Sequence, residues 1–197
     1  MYKRQISPIS NIGVVEINAL DVTNDDSPDF FGPGFSVFNA FNPHSTLIPW
    51  NRSNGVTSSI STPGYSSQIF KGMGSFYLLD GDIDITGNAD VAMYARLGAI
   101  GGSRAETIQI MESMFELALN KDELELEELL GTTFASSMDM QLQDIQALSR
   151  VVNREIPLVL EVNRAIDILQ ALRLKNDYDL ELVLMSVCLL YTSPSPR

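Results

Sequence analysis

Hydrophobic and polar positions change rhythm several times along the chain, and each change predicts an element. Residues 13–18, Gly-Val-Val-Glu-Ile-Asn, are a short β-branched run of the kind that suits a buried parallel strand. Residues 24–35 are dominated by Asp, Asn, Pro and Gly and read as a loop, with Phe30 and Phe31 folding back onto the core. Residues 37–54 predict a short helix and turn, with Pro43 near the start and Gly55 just past the end. Residues 56–62 alternate and are rich in Val, Ile, Thr and Ser until Pro63–Gly64 stops them, which predicts a second strand. Residues 73–80 supply a shorter strand ending in the turn pair Asp80–Gly81.

The middle of the chain switches to a helical period. Ser103 and Glu106 have capping-box spacing, and Ile108, Met111, Phe115 and Ala118 then repeat as one apolar stripe. Residues 122–130 predict a strongly acidic helix, and residues 139–152 another, with Leu142, Ile145, Leu148 and Val152 aligned. Residues 156–162 are a continuous apolar strand interrupted only by Glu161. Asn163 is placed to cap the next helix, whose stripe is Ile166, Leu169 and Leu172, and residues 180–187 return as a strand. Apolar strands joined by amphipathic crossovers imply a parallel sheet with helices outside it, and residues 156–187 are the clearest βαβ unit.

The two ends continue no pattern. Residues 188–197, Cys-Leu-Leu-Tyr-Thr-Ser-Pro-Ser-Pro-Arg, are what the string tgtctcttatacacatctccgagcccacga encodes, a transposase-type sequencing adapter. Residues 1–5, Met-Tyr-Lys-Arg-Gln, are what gtgtataagagacag encodes from a gtg start, the reverse complement of that adapter's opening. Both segments are therefore expected to be scars, with 6–187 a partial domain. The 197 residues carry 13 basic against 25 acidic side chains. Setting aside Lys3, Arg4 and Arg197 leaves ten basic residues and a net charge of −15 over 6–187. Such acidity excludes nucleic acid and anionic membrane as partners and leaves a small-molecule substrate or an oligomer. Cys188, the one cysteine, goes with the scar, so neither a disulfide framework nor a Cys-based zinc cage is available.

Few motifs carry chemistry. Asp80, Asp82 and Asp84 imitate the start of a calcium loop, but Ile85 and Val91 stand where Gly and Glu are needed, so a solvated acidic turn is expected. Residues 98–102, Gly-Ala-Ile-Gly-Gly, precede a helix without the GxGxxG spacing or a P-loop Lys and read as a plain loop. His44, the one histidine, sits in a turn beside Pro43 with no carboxylate at ligand spacing. No Gly-x-Ser-x-Gly motif is present, and Ser58, Ser59 and Ser61 alternate as ordinary strand residues.

Three stretches together resemble the imidazolonepropionase-related branch of the amidohydrolases. They are residues 42–57, Asn-Pro-His-Ser-Thr-Leu-Ile-Pro-Trp-Asn-Arg-Ser-Asn-Gly-Val-Thr; residues 101–105, Gly-Gly-Ser-Arg-Ala; and residues 156–174, from Ile-Pro-Leu-Val-Leu-Glu-Val-Asn-Arg to Ala-Leu-Arg-Leu. The resemblance implies an α/β fold: the N-terminal half of a (β/α)8 TIM-type barrel, with parallel strands and outer helices. It implies hydrolysis of non-peptide C–N bonds by water activated on zinc or another divalent metal, held by histidines at strand ends. The family's first ligands are a His-x-His pair, and the matching positions here are Ile9 and Asn11; a later ligand histidine falls on Asn163. Isoleucine cannot ligate, and a neutral amide is a far poorer zinc ligand than imidazole. Two readings follow: an amidohydrolase-type enzyme with an altered or metal-poor site, its pocket lined by Asn11, Glu16, Glu161 and Asn163; or a non-catalytic homologue that binds a small molecule or a partner subunit. Arg52 is expected to bond carbonyls or a carboxylate such as Glu16, and a cut barrel is expected to leave the strands at 13–18 and 180–187 as open edges.

Overall fold

The structure is a computed structural model that describes residues 5–16, 20–64, 66–98, 103–122 and 131–186. Among these residues one sheet of six strands runs in the order β1-β2-β3-β4-β5-β6. The strands are β1 (Gln5–Ser10), β2 (Val56–Ser61), β3 (Phe70–Leu78), β4 (Gly87–Leu97), β5 (Leu158–Val162) and β6 (Leu182–Met185). The helices are α1 (Leu47–Ser53), α2 (Arg104–Leu119), α3 (Thr133–Ser137), α4 (Leu142–Val152) and α5 (Ala165–Asp177).

The expected all-parallel sheet is not what forms. β1 pairs parallel with β2, and β4, β5 and β6 are parallel to one another, but β3 runs antiparallel to both β2 and β4. Five strands therefore point one way and β3 the other. The links on either side of β3 are short, residues 62–69 and 79–86. Neither can hold a helical crossover, so each must return the chain antiparallel. β4 itself was not anticipated. Its buried run from Ala92 to Ala95 has no alternation, because both faces of the strand are covered, and Ala and Met do not favour strand.

The first strand is also displaced from its expected place. Of the run 13–18, residues 13–16 form no strand and residues 17–18 lie outside the described residues: the N–H groups of Val14 and Val15 both donate to Asn11 O in a turn, and Val15 makes one isolated bridge to Asn24. Gly13 sets this geometry with a φ of +83°, and a Cβ there would lie 2.3 Å from the Phe41 ring. The valines instead bury under Val37 as a small satellite core. The edge strands are accordingly β1 and β6. Phe30, expected to fold inward, is 83% exposed.

The outer face of the sheet carries the main core. Met93, Ala95 and Leu97 from β4 and Leu158, Leu160 and Val162 from β5 pack against Met111, Phe115, Ile145 and Leu148 of α2 and α4. Phe70 meets Phe115 edge-on, with ring centroids 5.8 Å apart. Ser103 Oγ accepts from the Glu106 N–H at 3.1 Å at the start of α2, as its spacing predicted. α5 departs from expectation twice. Its N-cap is Arg164, with no side-chain cap bond, rather than Asn163. Its expected core stripe, Ile166, Leu169 and Leu172, is exposed by 53%, 61% and 42%, while Asp167, Ala171 and Leu174 are buried. The acidic stretch 123–130 and most of the glycine loop, 99–102, lie outside the described residues, as do both terminal segments 1–4 and 187–197.

Candidate functional site

The inner face of the sheet is laid out by alternation. On β5, Leu158, Leu160 and Val162 point to the helices, so Val159 and Glu161 point inward; Val159 packs there with Ala92, Tyr94 and Ile60. On β4, Tyr94 and Arg96 share that face, and Arg96 stands directly opposite Glu161 in the parallel register. Both lie near the C-terminal ends of their strands. β3 is reversed, so its beginning reaches the same end of the sheet.

A β-bulge brings in the third member. Phe70 pairs with Ala95 and Gly72 with Tyr94, which leaves Lys71 as an extra residue on β3. Gly72 takes a φ of +119° at this point, a conformation only glycine adopts freely. Lys71 is thereby aimed inward, and its Nζ lies 3.0 Å from Glu161 Oε2. Arg96 Nε donates to the same oxygen at 3.1 Å. Two cations thus converge on one carboxylate oxygen at the mouth of the curled sheet.

The cluster is largely shielded from water, with side-chain exposures of 10% for Lys71, 19% for Glu161 and 28% for Arg96. Burial by itself pushes the Glu161 carboxyl up, but hydrogen bonds and charge from Lys71, and then from Arg96, outweigh it and hold the group below its ordinary 4.5. Tyr94, one layer deeper, is pushed up to about 12 by burial and stays a neutral phenol at physiological pH. The outer-face Tyr77 is also raised by burial; its hydroxyl donates to Val37 O and Phe38 O, and its ring stacks on Phe41.

The four residues expected to line a pocket divide into two pairs. Glu161 and Asn163 belong to β5 and the residue after its end, where Asn163 is exposed. Asn11 and Glu16 follow β1, four strands away in the sheet, and are not brought to the cluster. Asn11 is exposed, and Glu16 Oε1 accepts from Asn42 Nδ2 at 3.1 Å. Lys71 and Arg96, which complete the site, carried no motif. Only the pairing register and the bulge reveal them. Arg52 bonds a carbonyl as expected, donating to Asp80 O, but not Glu16. His44 is exposed in a turn whose N–H donates to Asn42 Oδ1, and Asp80, Asp82 and Asp84 form a turn in which Asp82 N–H donates to Asp80 Oδ1.

A divalent metal does not suit this donor set. Ile9 and Asn11 stand at the start of the sheet's rim, and Asn163 at β5 offers only an amide. Glu161, the carboxylate that β5 itself carries, already holds Lys71 and Arg96, so a dication there would meet two like charges within a few ångströms. Among the described residues no group of three or more His, Cys, Asp or Glu side chains is gathered.

No protein-family model and no curated protein matches the chain. Among solved structures it is similar to an amidohydrolase from Thermotoga maritima MSB8, with a TM-score of 0.76 and 20% identity over 97% of this chain. The match covers 53% of that structure, so the chain spans about half its length. The likeness shows the fold: a mixed α/β partial barrel with a curled six-stranded sheet.

Proposed function

We propose that this chain is part of an amidohydrolase-like barrel of the imidazolonepropionase-related kind whose mouth holds a small molecule by charge and not through a histidine-bound metal. The observation that carries this reading is the convergence of Lys71 and Arg96 on Glu161 at the C-terminal ends of β4 and β5. That end of a (β/α)8 barrel is where strand-end residues meet ligands. The bulge at Lys71 is a costly local departure from pairing, and bulges of this kind commonly re-aim a side chain toward a site. In this reading the protein is a binding homologue. Lys71 and Arg96 supply donors, Glu161 orients both, and Tyr94 closes the floor as a neutral phenol.

The amidohydrolase-like fold favours a second reading, hydrolysis of a non-peptide C–N bond. The two are separated by elemental analysis and an assay. Protein purified without added metal is expected to hold well under one zinc per chain and to leave cyclic and acyclic amides intact. Stoichiometric zinc, lost on chelation together with amide hydrolysis, would establish the second reading in place of the first.

A further inference from the structure

We infer that the mouth of the sheet is a carboxylate-binding site, with Arg96 as the principal donor and Lys71 as its electrostatic support. This rests on the reading of the mouth as a ligand site and names its ligand class. The charge count is the starting point. One carboxylate faces two cations, so the cluster holds an excess positive charge in a chain whose total is −12. A single ion pair would suffice to hold β4 and β5 in register. The second cation is surplus, and keeping it in a site as buried as Lys71 costs free energy unless another anion balances it.

The donor count points the same way. Arg96 uses Nε on Glu161, and among the described residues its two terminal nitrogens have no protein acceptor. Those nitrogens form a planar fork that matches the two oxygens of a carboxylate. Lys71 Nζ makes one bond of the three it can donate. Arg96 is the most open of the three side chains, so it is the member of the cluster that solvent and ligand reach most readily. Glu161 then does two things. It orients both donors, and it competes with the incoming anion for them. The contrast with Arg104 and Asp167, a one-to-one pair at 3.2 Å elsewhere in the molecule, marks the mouth cluster as unbalanced by design of its partners and not by its burial alone.

The test uses benzoate and its neutral isostere benzamide, titrated into the full chain and followed by amide chemical shifts and calorimetry. Benzoate is expected to bind saturably, at least about ten-fold tighter than benzamide, to weaken with added salt, and to move the resonances of β4 and β5 near Arg96 and Glu161. Arg96→Lys keeps the charge and removes the fork, and is expected to weaken benzoate about ten-fold with little effect on the urea midpoint. Glu161→Gln removes the competing carboxylate and is expected to tighten benzoate, an outcome that a purely structural ion cluster does not produce. Arg52→Gln, remote from the mouth, leaves the affinity as it was. Equal binding of benzoate and benzamide at the mouth would overturn the carboxylate assignment while leaving the mouth a ligand site. If neither probe moves the β4 and β5 resonances, the reading of the mouth fails together with the inference.

Discussion

Helices α4 and α5 precede and follow the same strand, β5, and each places at its third position an aspartate that is 3% exposed: Asp144 in α4, Asp167 in α5. Asp144 is fully satisfied. Its Oδ1 accepts from the Gly34 N–H at 2.7 Å and its Oδ2 from the Gln141 N–H at 2.9 Å, so it closes the helix N-terminus and pins the 32–34 loop. Asp167 faces Arg104 Nε at 3.2 Å without hydrogen-bond alignment, and its Oδ2 has no partner. The apolar stripes diverge in the same sense. Ile145, Leu148 and Val152 of α4 are buried against α2 and the sheet, whereas Ile166, Leu169 and Leu172 of α5 face outward. An apolar stripe at helical spacing announces a face that needs a cover; it does not say that the cover is present. In a closed (β/α)8 barrel each outer helix has neighbours on both flanks, while the described residues give α5 contacts to α2 on one flank, through Arg173 to Glu112 and Tyr178 to Glu112 O.

The largest test of that difference is a matched pair of truncations. Leu148→Ala empties a site with no solvent exposure and is expected to cost about 2–5 kcal/mol. Leu169→Ala, at 61% exposure, is expected to stay within about 0.5 kcal/mol. Urea midpoints at constant m-value give both numbers. Similar losses at the two sites would mean that α5 is covered in solution after all.

The two aspartates sharpen the comparison at smaller magnitude. Asp144→Asn presents an NH2 group to one of two backbone N–H donors and is expected to cost about 1–3 kcal/mol. Asp167→Asn removes a buried charge whose Oδ2 has no hydrogen-bond partner and is expected to cost less than about 1 kcal/mol. The reverse order, read from the same unfolding curves, would show that the Arg104 pair is the stronger of the two.

What could be read in advance follows the same division. Elements with one buried face were legible: β2 through its alternation, α2 and α4 through their stripes, the Ser103 cap through its spacing. Elements whose character depends on distant neighbours were not. β4 is covered on both faces and shows no period, and residues 13–18 read as a strand although the positive φ at Gly13 turns the chain at residues 13–15. At the site, Glu161 stood out because it interrupts an apolar run. Lys71 and Arg96 lie 90 and 65 residues from it along the chain, and no local spacing joins them. The bulge that selects Lys71 depends on how β3 pairs with β4, a tertiary property.

β5, between the two helices, offers a test by pH. The folded Glu161 carboxyl lies below its ordinary 4.5, so its contribution to stability is present above that value and is lost as pH falls through the lower, folded value. The parent is therefore expected to lose more stability than Glu161→Gln between about pH 6 and about pH 3. The part-exposed cluster keeps the difference modest. Parallel pH profiles of parent and variant would remove the coupling from the account.

The smallest effect concerns how α5 begins. Ser103 caps α2 and Thr132 caps α3, its Oγ1 accepting from the Ala135 N–H at 3.2 Å, whereas the cap position of α5 holds Arg164, which makes no such bond. The first N–H groups of α5 therefore lack the side-chain acceptor that a helix start favours. Arg164 already has the extended backbone of a cap, with φ −124° and ψ 151°, so a serine there needs no rearrangement of the chain. Its own side chain is exposed and enters no ion pair among the described residues, so little is lost with it. Arg164→Ser is expected to raise stability by about 0.5–1 kcal/mol, read as a higher urea midpoint at unchanged m-value. Asn163→Ser is the control. The sequence alone assigned the cap to Asn163, one residue earlier, where a hydroxyl stands too far back to reach the orphan N–H groups, so that substitution is expected to change nothing. A gain at 163 and none at 164 would return the cap to Asn163 and shift the start of α5 by one residue.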